Sequence, residues 1–316
     1  MTARLQEQQA AGEEGAGTAL ALRGVVKRFG DITAVDHVDL IVPQGICLGL
    51  LGPNGAGKST TMRMITGQAH LDAGSIEVLG HPVPAHSKHA RAEMGVVPQL
   101  DNLDVELTAR QNLEVFAHLY RVPRARRRDA VDRALRMAHL VDRADTKTDE
   151  LSGGMRRRLL VARSLVHSPR FVLLDEPTVG LDPQVRQELW SLVDALRHEG
   201  VSVLMSTHYI EEAERLADEV AVMSRGRIIA RGTPAGLRDA HVGREAVEYY
   251  GSPDRLGEVE TIAVEGGLPT RRTGPSVSVL RAEHMPESTA ALLGAGARRA
   301  SNLEDVFVSL TGETVE

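Results

Sequence analysis

The chain has 316 residues, enough for about two domains with a substantial core, which excludes a peptide-sized or disulfide-stapled protein. Its 37 basic and 43 acidic side chains give a formal charge of -6, so the composition predicts no partnership with nucleic acid. A hydrophobic fraction of 42% and a charged fraction of 25% are typical of a folded protein and exclude general disorder.

The first residues and the single cysteine indicate a compartment. Residues 1–17 are rich in Gln, Glu, Ala and Gly, and they predict a disordered tail rather than a signal peptide. No run of the sequence reaches the ~18 apolar residues that a membrane helix needs. Cys47 has no second cysteine to pair with, which fits a reducing compartment and a small buried side chain. We therefore predict a cytoplasmic chain that does not itself cross the bilayer.

Short runs rich in Val, Ile and Leu alternate with longer helical patterns along most of the chain. The paired runs are residues 45–51 with 58–66, residues 171–175 with 183–198, and residues 201–207 with 210–217. This alternation predicts an α/β fold with a largely parallel sheet. The nearly all-helical residues 108–166 predict a helical subdomain, at about residues 100–168, inserted between two strands. After about Arg238, short strand-like runs (residues 245–250 and 276–280) mix with helical ones and predict a small α+β domain.

A glycine-rich segment after the first buried run carries the strongest chemical signal. Residues 52–59 match G-x-x-x-x-G-K-[ST] between a strand pattern and a helix pattern, the context that a phosphate loop requires. Main-chain N–H groups at such a helix start bind phosphates, Lys58 contacts the terminal phosphates, and Ser59 ligates Mg²⁺. The cofactor-binding residues predicted in this loop are Gly52, Pro53, Asn54, Gly55, Ala56, Gly57, Lys58, Ser59 and Thr60.

A later apolar run, residues 171–174, ends in two carboxylates, Asp175 and Glu176. A phosphate site needs a strand-end carboxylate for the Mg²⁺ shell, and Asp175 is predicted to hold the ion through water. Glu176, one residue further, is predicted to polarise the attacking water. The alternative is an acidic pair that only caps the turn before Pro177.

Five residues between these two motifs, Leu151-Ser-Gly-Gly-Met155, point to a family. In this order they resemble the signature of the ATP-binding cassette (ABC) ATPases, although alone they fit an ordinary helix N-cap. The resemblance implies a P-loop NTPase cassette with a RecA-like core and a helical subdomain. It also implies that Ser152, Gly153 and Gly154 contact the nucleotide of the opposite subunit. Met155 stands where glutamine is usual, a substitution that also occurs in the drug-export branch.

Further positions resemble motifs of the same family. Gln99 resembles the Q-loop glutamine that completes the Mg²⁺ and water shell, and Asp182 resembles the D-loop residue at the dimer interface. His208 resembles the switch histidine that contacts the γ-phosphate and orients Glu176. Phe29 resembles the aromatic that stacks on adenine, with a core phenylalanine as the alternative. The resemblance thus implies a catalytic set, a cofactor set beyond the phosphate loop, and a metal set. The catalytic set is Glu176, His208 and Gln99. The cofactor set beyond the phosphate loop is Phe29, Ser152, Gly153, Gly154 and Asp182. The metal set is Ser59, Gln99 and Asp175.

The resemblance covers residues 18–240, with every motif in order, and continues weakly beyond them. Residues 226–234 resemble the end of such cassettes. Residues 302–312 resemble the C-terminal motif of daunorubicin-resistance-type exporter ATPases, with a plain amphipathic closing helix as the alternative. We therefore expect an ABC ATP-binding domain over residues 18–240 and an accessory domain over residues 241–316.

The closing helix predicts one apolar face, formed by Leu303, Val306, Phe307 and Leu310. That face must bury against its own domain, a second subunit or a permease. We therefore expect deletion of residues 245–316 to leave ATP affinity within a few-fold and to weaken assembly with a partner.

Two clusters of side chains are discounted. His81, His86 and His89 lack a carboxylate or cysteine to complete a metal shell, and the prolines beside them predict a solvated loop. The arginines of residues 121–128 lack interleaved aromatics beyond Tyr120, and they predict a solvated helix connection rather than a nucleic-acid site.

The sequence as a whole predicts one ATPase subunit of an ABC transporter. By resemblance, two copies bind two ATP with Mg²⁺ between phosphate loop and opposing signature, and drive a separate integral-membrane permease from the cytoplasmic face. Met155 and the C-terminal motif favour export of a drug or other hydrophobic compound, while import and export of lipid or polysaccharide stay open. A soluble non-transport ABC ATPase typically has two cassettes or a long coiled coil, and a phosphate-loop kinase or GTPase has no reason to carry the signature.

Overall fold

A computed structural model of the chain describes residues 17–312. The predicted disordered tail lies outside these residues except for Gly17. The strands are β1 (Thr18–Phe29), β2 (Ile32–Pro43), β3 (Cys47–Leu51), β4 (Ala73–Val78), β5 (His81–Val83), β6 (Met94–Val97), β7 (Phe171–Asp175), β8 (Ser202–Thr207), β9 (Glu219–Ser224), β10 (Arg227–Gly232), β11 (Glu245–Tyr250), β12 (Thr270–Thr273), β13 (Ser276–Leu280) and β14 (Ala297–Ala300). The helices are α1 (Lys58–Ile65), α2 (Ser87–Ala92), α3 (Ala109–Leu119), α4 (Arg124–Met137), α5 (Gly153–Leu165), α6 (Pro183–His198), α7 (Ile210–Leu216), α8 (Pro234–His241), α9 (Pro253–Glu265), α10 (Glu287–Leu293) and α11 (Leu303–Thr311).

A largely parallel sheet forms the centre of the fold. Within residues 17–312 it has six strands in the order β10-β9-β3-β8-β7-β6, and its one antiparallel pair is β10 with β9. Both faces are covered, because Val172 and Leu174 of β7 lie in one core while Phe171 and Leu173 lie in another. This two-sided burial explains why the strands are continuous apolar runs. The predicted α/β fold is confirmed.

An antiparallel sheet covers one face of this central sheet. In the described part of the chain its strand order is β2-β1-β4-β5, and β1 and β2 pair as two long strands of 12 residues each. Leu20 and Leu22 of β1 share a core with Leu48 and Leu50 of β3. The sequence analysis did not identify this sheet, since its strands do not alternate with helices.

Helices α3, α4 and α5 lie along the chain between β6 and β7, where the sequence predicts a helical subdomain. Leu113, Leu135 and Leu159, one from each helix, share the core that contains Val172 and Leu174. Ser152 caps α5, since its Oγ accepts a hydrogen bond of 3.2 Å from the main-chain N–H of Met155. The cap fixes where the signature helix begins.

A third sheet, β12-β13-β11-β14, lies in the last part of the described chain and is wholly antiparallel. Val247 and Val279 on one face pack in a core with Leu256 of α9 and Leu293 of α10. The predicted strands at residues 245–250 and 276–280 are β11 and β13.

The apolar face of the closing helix α11 is buried against the rest of this chain. Val306 and Phe307 are fully buried in one core with Leu51, which ends β3, and with Val220 of β9. The main-chain N–H of Leu303 also donates a hydrogen bond of 2.7 Å to Glu214 Oε1 on α7. The sequence left open whether this face packs against its own domain, a second subunit or a permease. In the structure it packs against its own chain. Deletion of residues 245–316 would uncover Leu51, so we now expect a loss of stability before any loss of assembly.

The histidine cluster, for which the sequence predicts a solvated loop, lies in a strand, a turn and a helix, with His86 and His89 exposed. His81 begins β5, whose pairing with β4 includes His81 opposite Val78; His86 is the N-cap of α2, and His89 lies within that helix. A carboxylate is also present, because Glu93 Oε1 lies 3.2 Å from His81 Nε2. Even so, the described residues contain no group of three or more His, Cys, Asp or Glu side chains that could hold a metal ion.

Two further features of the described chain concern its helices and its single cysteine. None of its helices in residues 17–312 combines the length and apolar character needed to span a membrane. Cys47 is fully buried on β3, and burial raises the pKa of its thiol to about 12.

Candidate nucleotide-binding site

The carboxyl ends of four neighbouring parallel strands lie at one edge of the central sheet. The phosphate loop follows β3, His208 follows β8, and Asp175 and Glu176 end β7 and begin the next loop. Gln99 lies two residues beyond the end of β6. Because parallel strands end at the same edge, these segments of distant sequence come together there.

The phosphate loop folds closely against its neighbours. Gly57, at the N-cap of α1, has a φ of 107°, and a Cβ at this position would lie 2.4 Å from the carbonyl oxygen of Ala34, so only glycine fits. Lys58 is buried, and its Nζ donates hydrogen bonds to the carbonyl oxygens of Gly52 (2.8 Å) and Pro53 (3.1 Å). Burial lowers the pKa of Lys58, and the nearby Glu176 carboxylate opposes that shift.

Glu176 is the meeting point of three predicted site residues. Gln99 Nε2 donates a hydrogen bond of 2.9 Å to Glu176 Oε2, and Lys58 Nζ lies 3.3 Å from Glu176 Oε1. His208 Nδ1 also lies 3.3 Å from Glu176 Oε1, without the alignment of a hydrogen bond. Glu176 is 5% exposed and has a φ of 45°, a left-handed conformation that costs a non-glycine residue about 1–3 kcal/mol. The surrounding contacts must hold this conformation.

Asp175 is oriented by two hydroxyl groups. Ser59 Oγ donates to Asp175 Oδ1 over 3.3 Å, and Ser206 Oγ donates to the same oxygen over 2.6 Å. Ser206 also accepts hydrogen bonds of 3.1 Å, at both its Oγ and its carbonyl oxygen, from the main-chain N–H of Glu176. The sequence analysis missed Ser206, although a serine near the end of a strand as apolar as β8 is a usable signal.

A cavity of about 220 Å³ lies over these groups. Its lining residues are Ala34, Asn54, Gly55, Gly57, Lys58, Ser59, Thr60, Gln99 and Glu176. The buried Lys58 ammonium and the start of α1 suit a polyphosphate, so the residues fit the phosphates of ATP. Ser59, Asp175 and Gln99 supply the oxygen ligands that a hard cation such as Mg²⁺ requires.

The remaining predicted residues lie outside the lining of this cavity. Ser152 and Gly153 are exposed at the start of α5, and Gly154 is packed so closely that a Cβ would lie 2.5 Å from Val185 Cγ2. Asp182 is the exposed N-cap of α6, with its Oδ1 accepting a hydrogen bond of 2.9 Å from the N–H of Val185. Within one chain, the signature residues and Asp182 are therefore not part of the cavity that the phosphate loop lines.

Phe29 lies at the exposed end of β1. Its side chain is 54% exposed, and Lys27 Nζ lies 5.1 Å from the ring centroid. The alternative of a core phenylalanine is wrong, because Phe29 lies at the end of β1, where it pairs with the exposed Ile32 of β2, and its ring is in none of the cores that the described residues form.

The parallel sheet, the phosphate loop and the strand-end carboxylates together define a phosphate-loop ATPase. Residues 35–179 match the family model described as ABC transporter. The Nod factor export ATP-binding protein I of Burkholderia orbicola is 44% identical over 298 residues, which are 93% of this chain and 97% of that protein. The protein of the same name from Mesorhizobium japonicum is 41% identical over 301 residues, which are 94% of this chain and 88% of that one.

Solved structures agree. An ATP-binding subunit of an ABC transporter aligns with a TM-score of 0.65 at 27% identity over 71% of this chain and 93% of that one. A dimeric ATP-binding cassette, bound to ADP and Pi after hydrolysis, aligns with a TM-score of 0.61 at 28% identity over 68% of this chain and 98% of that one. The chain belongs to the ABC transporter family as an ATP-binding subunit, an ATPase whose hydrolysis of ATP is coupled to transport.

Replacing Lys58 with Ala is expected to weaken nucleotide binding itself. The variant removes the one ammonium group that reaches this cavity from the described lining residues, so the phosphates lose their charged donor. We expect the ATP dissociation constant, measured by titration with a fluorescent ATP analogue, to rise at least about tenfold. Lys147→Ala, which removes an exposed lysine that pairs with Glu106, is the matched control. Equal affinities in the two variants would contradict the assignment.

Proposed function

We propose that this chain is the ATPase subunit of an export system, with the cavity over Glu176 as its ATP site. The observation that carries the proposal is the convergence of Gln99, Lys58 and His208 on the one buried carboxylate of Glu176. These contacts bring an amide, an ammonium and an imidazole to one carboxylate beside the phosphate loop. A hydrolytic site needs that combination, since water, phosphate and a general base must be oriented together.

In this proposal Glu176 accepts a proton from the attacking water, and Gln99 and His208 hold the carboxylate in place. Lys58 and the N–H groups of the phosphate loop bind the β- and γ-phosphates. Phe29 stacks on adenine, which its exposure supports.

Ser59, Asp175 and Gln99 are the residues proposed to hold Mg²⁺. The bound ion would neutralise charge on the phosphate oxygens. Ser206 keeps Asp175 turned toward Ser59, because it donates to the same oxygen that accepts from Ser59 Oγ.

The signature residues are proposed to serve the nucleotide of a second copy. Ser152, Gly153 and Asp182 are exposed and absent from the lining of their own chain's cavity, which supports a role toward a partner. In such a homodimer each ATP lies between one chain's phosphate loop and the other chain's signature.

Mixing two inactive variants tests this arrangement. In a dimer of a Ser152→Arg chain with a Lys58→Ala chain, one site carries both lesions and the other carries none. We expect the mixture to recover up to about a quarter of the wild-type ATPase rate, if copies assort at random. Each variant alone serves as the control. A mixture no more active than the separate variants would contradict the proposed sharing of sites.

Export is the proposed direction of transport. The relatives that match over more than nine-tenths of this chain are named for export of Nod factor, and Met155 and the motif at residues 302–312 resemble exporter ATPases. A drug or other hydrophobic compound is the proposed cargo, and Nod factor is the second candidate because of those names. The permease is proposed to be a separate chain that holds this subunit at the cytoplasmic face of the membrane.

Co-purification from detergent-solubilised membranes tests this assignment. We expect the tagged chain to retain a multi-span membrane protein, and cells lacking the chain to accumulate the cargo. Recovery of ribosomes or DNA in place of a membrane protein would favour a soluble ABC ATPase.

The proposed domains are the cassette over residues 18–240 and the accessory unit over residues 241–316. The core that contains Leu51, Val220 and Phe307 crosses this boundary. The accessory unit is therefore proposed to be a fixed part of the subunit, not a tethered appendage.

A further inference from the structure

Arg157, on the signature helix α5, contacts the main chain on both sides of the Gln99–Glu176 pair. Its Nη1 donates hydrogen bonds to the carbonyl oxygens of Pro98 (2.8 Å) and Gln99 (3.1 Å). Its Nη2 donates to the carbonyl oxygen of Glu176 (3.1 Å), and its Nε donates to that of Pro177 (2.6 Å). One guanidinium therefore joins the end of β6 to the end of β7.

All of these acceptors are main-chain carbonyl oxygens. Burial among them lowers the pKa of Arg157, and the distant carboxylates of Asp101, Asp175 and Glu212 oppose that shift. A planar guanidinium can hold several carbonyl groups at fixed directions, which a compact ammonium cannot do. The contact therefore constrains the backbone itself.

The constrained residues are the ones whose side chains meet in the nucleotide cavity. Gln99 and Glu176 are 77 positions apart in sequence, and their side chains form a 2.9 Å hydrogen bond. Arg157 is not among the residues that line the cavity. It holds both main chains from outside the cavity, including the left-handed Glu176, whose conformation needs support.

We infer that Arg157 is a positioning residue for ATP hydrolysis, which sets the Gln99–Glu176 contact by holding the two main-chain segments together. The helix that carries it begins at Gly153, directly after the N-cap Ser152, so a rotation of α5 moves the support of the catalytic carboxylate. Through Arg157, the signature helix and the chain's own hydrolytic site are mechanically coupled. This inference rests on the proposed function of the site.

The neighbouring arginines provide a matched comparison. Arg156 Nη1 donates to the carbonyl oxygen of Leu151 (3.0 Å), and Arg158 pairs with Glu188 on α6. Neither contact reaches Gln99 or Glu176. The sequence alone does not distinguish Arg157 within this run of three arginines, since the distinction lies in which carbonyl groups face each one.

The test compares Arg157→Lys, Arg157→Gln and, as the control, Arg128→Gln at an exposed arginine of α4, all in the full chain. We expect both Arg157 variants to lose about 10- to 100-fold in kcat while their ATP dissociation constants stay within about threefold, since a displaced base affects the reaction more than binding. Arg128→Gln should keep both values near those of the unmodified chain. Thermal unfolding of each variant shows how much of the sample is folded at the assay temperature.

A double-variant cycle with Gln99→Ala separates positioning from general stability. If Arg157 acts through the Gln99–Glu176 contact, the kcat of the double variant Gln99→Ala with Arg157→Lys should be only slightly lower than the kcat of the less active single variant. The inference would be overturned if the kcat losses of the two single variants multiply in the double variant, or if Arg157→Lys has a normal kcat. It would also be overturned if the kcat loss equals the unfolded fraction of the sample. Failure of the proposed function is distinct, because the unmodified chain would then not hydrolyse ATP.

Discussion

Replacing Glu176 with Gln is expected to leave ATP binding near its normal level while hydrolysis falls by about 10²-fold or more. The amide keeps the shape of the carboxylate, so the 2.9 Å hydrogen bond from Gln99 Nε2 persists when the carbonyl oxygen of the new amide faces it. The amide cannot accept the proton of the attacking water. The loss should therefore appear in kcat, measured as phosphate release at saturating ATP, and not in the ATP dissociation constant.

The matched control is Glu258→Gln, the same chemical change at an exposed residue of α9 that pairs with Arg255. It should hydrolyse ATP at the rate of the unmodified chain. A Glu176→Gln variant that hydrolyses at the control rate would show that another group acts as the base.

Replacing Phe307 with Ala is expected to lower the free energy of unfolding by about 3–5 kcal/mol. Phe307 is fully buried in the core that joins the closing helix to Leu51 and Val220, so truncation leaves a cavity and removes apolar burial. The measurement is the urea midpoint of the full chain, followed by circular dichroism. We expect ATP affinity at low temperature to stay within a few-fold, since the core that contains Phe307 contributes no residue to the lining of the nucleotide cavity.

Leu292→Ala is the control in the same accessory unit, because Leu292 is 68% exposed on α10. Its urea midpoint should change little, as expected for a surface substitution. An equally small change in the urea midpoint of Phe307→Ala would show that the closing helix does not contribute to the stability of the cassette.

The sequence by itself determined the chemistry that lies in contiguous residues. The phosphate loop at residues 52–59 could be predicted because its strand, loop and helix follow one another, and local geometry fixes where its N–H groups point. Asp175 and Glu176 could be predicted for the same reason, as carboxylates at the end of an apolar strand. The parallel sheet also followed from the alternation of short apolar and longer helical runs.

Other features depended on which distant segments become neighbours. The central strand order places β7 between β6 and β8, which brings Glu176 to Gln99 and to Ser206. No periodicity in the sequence encodes that order, because a continuous apolar run shows that a strand is buried on both faces but not which strands lie beside it.

Burial partners were likewise decided only by the tertiary structure. The pattern at residues 303–310 predicted an apolar face, but whether it met its own domain, a second copy or a permease depended on the shape of the whole chain. The same holds for Arg157, because three consecutive arginines have the same chemistry and differ only in the carbonyl groups that surround each one. Local sequence sets what a side chain can do, while long-range packing selects the groups on which it acts.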